Sequence, residues 1–205
     1  MNNKEKQALI QKLLDLYFPN PKIPLVFTDP YTLLIATVLS SQTTDQMVNK
    51  VTPVLFAKAQ TPQELLLLTP EEVQNIITPC GLSKQKTRHL FLLSKILKEK
   101  YRGKVPRTFA SLEALPGVGH KTASVVLAFA FQKDTFPVDR HIHRLAKRWD
   151  LSSGKNVCQT EKDLKRFFLK KEWNKIHLQM ILFGRKYCQA KRHSPTKCPI
   201  CRHLP

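Results

Sequence analysis

The chain has 205 residues, with 34 Lys or Arg against 15 Asp or Glu and a formal net charge of +19 at pH 7. That excess points to a polyanionic partner, because each cation that neutralises a phosphate releases condensed counterions; charge alone leaves open a ribosome-associated protein or a merely cationic surface. With 42% hydrophobic residues the chain can build one sizeable core or two small lobes, and its longest apolar stretches, near residues 33–39 and 125–131, fall well short of the ~18 residues of a membrane span.

In chain order, almost every segment reads as helix. Ile10, Leu13, Leu14 and Tyr17 form an amphipathic stripe. Lys4, Glu5, Lys6 and Lys12 interrupt the N-terminal stretch Met1 to Leu14, so no secretory signal is expected there. Asp29-Pro30 reads as an N-cap with proline at the first helical position, opening a helix that carries Leu34, Ile35 and Val38. Thr61 with Glu64, and Thr69 with Glu72, have capping-box spacing. A helix with Leu90, Leu93, Leu97 and Tyr101 on one face is predicted between Gly81 and Gly103. Ala123, Val126, Leu127 and Ala130 repeat the pattern, as do Ile142, Leu145, Ala146 and Trp149, and a last helix is predicted over Asn174–Tyr187. No period-2 strand is evident, so the fold class expected is all-α.

Two of the six glycines stand in Leu115-Pro116-Gly117-Val118-Gly119. Pro116 and Gly117 suit a tight turn, and Gly119 allows close backbone approach. A helix beginning at His120 or Lys121 then gives helix, hairpin and helix. The free N–H groups and dipole of such a helix start bind a phosphate. That contact reads backbone rather than bases, so it predicts sequence-tolerant DNA binding. A plain turn between core helices is the alternative.

The residues Leu115-Pro-Gly-Val-Gly-His-Lys-Thr-Ala-Ser-Val-Val126, followed by Val138-Asp139-Arg-His-Ile-His-Arg144, resemble the endonuclease III family of helix-hairpin-helix DNA glycosylases. Leu39-Ser-Ser-Gln-Thr-Thr-Asp45, Cys80-Gly81-Leu82 and Gly154-Lys155-Asn156-Val157 extend the likeness over about residues 20–190. The resemblance implies two helical lobes: a six-helix barrel with the helix-hairpin-helix over residues 22–132, and a second lobe formed by residues 1–21 and 133–205. DNA would enter between them.

The resemblance also implies roles. Lys121 is the expected nucleophile. At the positive end of a helix dipole a cation is disfavoured, which favours the neutral amine. That amine can attack C1′ of the damaged nucleotide, expel the base and form a Schiff base that permits β-elimination. Asp139 is the expected carboxylate partner; read alone it is an N-cap, and the two roles are compatible. The family has Thr after this aspartate, whereas Arg140 stands here and either favours the neutral amine further or contacts a phosphate. Gln42 and Leu82 are the expected wedges that fill the hole left by a flipped base. Leu82 alone would also read as a core leucine after a helix end at Gly81. Asp45 belongs to the same pocket or caps a helix.

The five cysteines are Cys80, Cys158, Cys188, Cys198 and Cys201. Without a signal segment, clustered cysteines suggest metal rather than disulfides in a reducing compartment. Cys198-Pro-Ile-Cys201 has metal-ligand spacing, and Lys191, Arg192 and Lys197 surround it. The resemblance implies a [4Fe–4S] cluster held by Cys188, Cys198, Cys201 and a fourth cysteine, in a basic loop whose Lys191 and Arg192 touch DNA. The chain departs from that pattern, with a longer interval between Cys188 and Cys198 and the fourth cysteine expected just beyond its last residue. Three readings stand: a longer parent protein, a site completed by His193 or His203 for zinc, or loss of the cluster. Cys80 and Cys158 read as plain buried thiols.

The function expected is base-excision repair: removal of oxidised pyrimidines from duplex DNA and cleavage at abasic sites, by a cytoplasmic monomer with no membrane attachment. A water-using glycosylase on the same fold would lack Lys121, a guanine-lesion glycosylase fits the Leu82 loop and the cysteine tail less well, and a non-catalytic DNA-binding module gains nothing from Asp139.

Overall fold

A computed structural model describes residues 1–191 and 193–204. Among the described residues there are eleven α-helices and no strand. None is long and apolar enough to cross a membrane. The chain divides into two compact units, residues 23–133 and residues 1–22 with 134–205.

The unit of residues 23–133 holds α2 (Pro30–Leu39), α3 (Asp45–Phe56), α4 (Pro62–Leu65), α5 (Pro70–Ile77), α6 (Ser83–Tyr101), α7 (Phe109–Glu113) and α8 (His120–Phe131). Helix α2 is its centre, with every residue from Tyr31 to Leu39 buried. It packs along α8 and touches α3 and α6. A ten-residue helix apolar on all sides survives because its neighbours cover it; each buried Leu, Ile or Val contributes about 1.5–3 kcal/mol over exposure. The tyrosine hydroxyl of this face is satisfied inside the core, 2.8 Å from Ser94 Oγ.

Helix starts in this unit follow short-range chemistry. Asp29, Thr44, Thr61, Thr69 and Thr108 each accept a backbone N–H of their own first turn. Both predicted capping boxes form, Glu64 and Glu72 returning the bond to the cap residue. Thr44, rather than Asp45, caps α3. Two longer helices lack a side-chain cap: α6, which begins after Leu82, and α8, which begins after Gly119.

The other unit holds α1 (Asn3–Tyr17), α9 (Arg140–Arg148), α10 (Val157–Phe167) and α11 (Trp173–Lys186), the last starting one residue before its predicted position. Ile10 and Leu14 of the predicted stripe are fully buried, in a core with Phe136, Ile142, Leu145, Trp149 and Phe183. Polar ties fix the N-terminal helix to distant segments. Lys6 Nζ lies 3.1 Å from Asp150 Oδ2, and Gln179 Nε2 donates to Asp15 Oδ1 and to the Phe18 carbonyl at 2.8 and 2.9 Å.

Candidate functional site

The hairpin is anchored by its apolar residues and shaped by one glycine. Leu115 and Val118 are buried in the core, and Val118 N–H closes the turn on the Leu115 carbonyl at 3.1 Å. Gly117 takes φ +79°, and a Cβ there would lie 2.9 Å from the His89 ring. Gly119 corrects the expectation of close approach: its φ is −94°, and a Cβ would meet no protein atom within 4 Å. The space over Gly119 is therefore open at the start of α8. Lys121, the second residue of that helix, is exposed. His120 beside it is held, its Nδ1 2.6 Å from Glu113 Oε1 and its ring stacked on Phe109.

Gln42 and Leu82 share an uncommon geometry. Both are exposed, Leu82 at 50%, and both take left-handed backbone, φ 57° and 51°. The reading of Leu82 as a core leucine is thereby excluded. Left-handed non-glycine residues cost on the order of 1 kcal/mol or more and persist where surrounding structure imposes them.

One residue that sequence reasoning missed supplies such a constraint. Lys86 is 3% exposed, and its ammonium donates to the carbonyls of Leu39 and Cys80, each at 2.8 Å. These carbonyls stand at the roots of the segments that carry Gln42 and Leu82. Burial lowers the Lys86 pKa, opposed by nearby Cys80. The one signal in the sequence is its place on the leucine-rich face of α6, four residues before Leu90.

Asp139 caps α9. Its Oδ1 accepts from the N–H groups of His141 and Ile142, both at 2.8 Å, which leaves Oδ2 outside the cap. The carboxyl is half-buried and held by backbone. Arg140 is exposed at the first helical position. His141 is a second residue that sequence reasoning missed. Arg144 Nη2 lies 3.3 Å from its Nδ1. The guanidinium beside the ring disfavours its protonated form. The His141 pKa is lowered by burial first, then by Arg144, Arg185 and Arg140, against the opposing pull of Asp139.

The C-terminal cysteines converge. One ligand atom each from Cys188, His193, Cys198 and Cys201 lies within 4.8 Å of all the others. This donor chemistry is compatible with a metal ion or an iron–sulfur site. Hydrogen bonds from Cys188 and then Cys201 hold Cys198 far below the usual thiol range. Cys198 in turn pushes Cys188 up against the opposing pull of Cys201, and Cys188 and then Cys198 push Cys201 up. Arg148 Nη1 donates to Cys188 Sγ at 3.4 Å and Arg144 Nη2 to the Cys188 carbonyl at 2.9 Å. His203 is exposed and outside this group, its Nε2 accepting from Arg202 Nε at 3.1 Å. Lys191 is exposed on the same loop, and Arg192 lies outside the described residues. Cys80 is buried as expected, but Cys158 is exposed at the second residue of α10, where that helix's apolar face turns away from it.

A helical unit with an uncapped hairpin helix bearing a lysine, and a second unit with a capping aspartate and a cluster of three cysteines and a histidine, define a helix-hairpin-helix protein. In agreement, a profile of the HhH-GPD superfamily base excision DNA repair proteins matches residues 35–170. Endonuclease III of Bacillus subtilis (strain 168) is 38% identical over 201 residues, covering 98% of this chain and 91% of that protein. Endonuclease III of Escherichia coli (strain K12) is 41% identical over 198 residues, covering 97% and 94%. A trapped endonuclease III–DNA covalent intermediate superposes with a TM-score of 0.93 at 38% identity, covering all of this chain and 95% of that one. The chain belongs to the endonuclease III family of DNA glycosylases with abasic-site lyase activity.

Proposed function

We propose that this chain removes oxidised pyrimidines from duplex DNA and cleaves the resulting abasic site by β-elimination, with Lys121 as nucleophile. The observation that carries this reading is the exposed Lys121 at the uncapped start of α8, directly after the open Gly119. Gly117 and Gly119 let a DNA phosphate approach the first N–H groups of α8, and Lys191 and Arg192 add phosphate contacts. Gln42 and Leu82 enter the duplex as the damaged nucleotide leaves the stack. The amide meets the orphaned base, and the leucine replaces lost stacking.

The amine of Lys121 attacks C1′ and the glycosidic bond breaks. The base departs with its bonding electrons and takes up a proton. Ring opening gives an imine between Lys121 and C1′. The imine acidifies C2′–H, loss of that proton expels the 3′ phosphate, and water releases the lysine. The role assigned to the Asp139 carboxylate is to offset the positive charge that develops on the sugar and to take the proton from the attacking amine. A monomer in the cytoplasm suffices for this chemistry. The trapped covalent complex of the related enzyme supports the covalent step.

The test is borohydride trapping on a duplex with one abasic site. A covalent adduct is expected, absent in Lys121→Ala although that variant still binds the duplex. Normal nicking by Lys121→Ala would remove the lysine from the mechanism. Asp139→Asn is expected to slow base release more than binding; equal losses would leave it a cap alone. Release of an oxidised pyrimidine in preference to an oxidised guanine checks the substrate class.

A further inference from the structure

We propose that Cys188, His193, Cys198 and Cys201 together hold one tetrahedral metal ion of the zinc type, in place of the four-iron cluster that the family resemblance implies.

Spacing decides between the two occupants. Cys188 Sγ and Cys201 Sγ stand 3.9 Å apart, and all four donors fall within 4.8 Å of one another. Thiolates about 2.3 Å from a single zinc, at tetrahedral angles, lie about 3.8 Å apart. In a four-iron cluster each thiolate caps a different iron. Such thiolates are separated by the body of the cluster and two iron–sulfur bonds, so no two of them approach near contact.

The donor set points the same way. Three thiolates and an imidazole, the set that converges here, are a regular zinc complement. His193 Nε2 is buried and makes no hydrogen bond. A buried ring nitrogen among three sulfurs is costly unless something coordinates or donates to it. The long interval between Cys188 and Cys198 acquires a purpose: it carries His193 at its midpoint and folds it back among the thiols. Arg148 and Arg144, which donate to Cys188, already brace the first ligand. Four protein donors leave no open position, so the ion is structural, fastening residues 188–203 to the end of α11.

The protein, produced with iron and zinc both available and purified without oxygen, is analysed for metals and acid-labile sulfide. About one zinc per chain with no sulfide and no broad visible absorption is expected. About four irons with matching sulfide, or a chain with no bound metal, would overturn the proposal. Exchange with cobalt(II) gives a second readout: intense visible bands of a tetrahedral ion and thiolate-to-cobalt charge transfer. His193→Ala is expected to weaken cobalt binding at least about tenfold and shift the visible bands, while His193→Cys restores affinity and adds charge-transfer intensity. A His193→Ala spectrum and affinity identical to those of the parent would exclude the histidine and sink the proposal.

Discussion

Lys86 Nζ donates to the carbonyl oxygen of Leu39 across 47 positions of sequence, at 2.8 Å. The same ammonium reaches the Cys80 carbonyl, so one buried cation ties together the roots of the two segments that bear Gln42 and Leu82. Charge-assisted bonds of this kind contribute about 1.5–3 kcal/mol, more than neutral ones. They give the two left-handed residues a common rigid base.

Lys86→Met keeps the stem volume and removes both bonds. Urea unfolding should show a loss of about 2 kcal/mol, because two carbonyls lose their charged donor while the burial cost of the ammonium disappears. Amide exchange at residues 40–43 and 81–83 should accelerate beyond the global change. Unaltered exchange at either segment would show that the lysine is not its tie.

Leu82→Ala should separate stability from activity. The side chain is half exposed, so its loss should change unfolding free energy by no more than about 0.5 kcal/mol. Single-turnover release of a damaged base should fall about tenfold or more, since a stacking replacement is removed when the base leaves the duplex. Gln42→Ala should behave alike. Unchanged release in both variants would assign duplex entry to other residues.

The two hairpin glycines should respond differently to alanine. At Gly117 a side chain meets both a left-handed backbone and the His89 ring at 2.9 Å. Gly117→Ala should therefore lower stability by about 1–3 kcal/mol. At Gly119 there is space, and Gly119→Ala should cost at most about 1 kcal/mol for a poorer cap residue. Its effect should fall on DNA instead, as weaker binding to an abasic duplex in a titration. Full affinity in Gly119→Ala would mean that no phosphate approaches there.

His141 sets a pH dependence. Its folded pKa lies below its ordinary value of 6.5, with burial the largest cause, and Asp139, Arg140, Arg144 and Arg185 surround it. As pH falls below 6.5, the unfolded chain takes up the proton first. Stability should therefore decline from that point down to the folded pKa, then cease to respond to this group. His141→Gln should flatten the slope in this window while leaving the response of the carboxylates at lower pH. A slope unchanged by the substitution would place its origin elsewhere.

By itself, the sequence determined the helical class, the caps at Asp29, Thr61, Thr69 and Asp139, and the hairpin that puts Lys121 near a helix start. Those features depend on residues three or four positions apart, so the local order of side chains is sufficient to specify them. Tertiary structure alone decided the rest: the burial of Lys86 between distant carbonyls, the left-handed exposure of Gln42 and Leu82, the exposure of Cys158, and the choice of His193 over His203 beside the thiols. Each of these rests on which remote segments come into contact. A helical period tells which residues share a face, and it carries no information about what that face will meet.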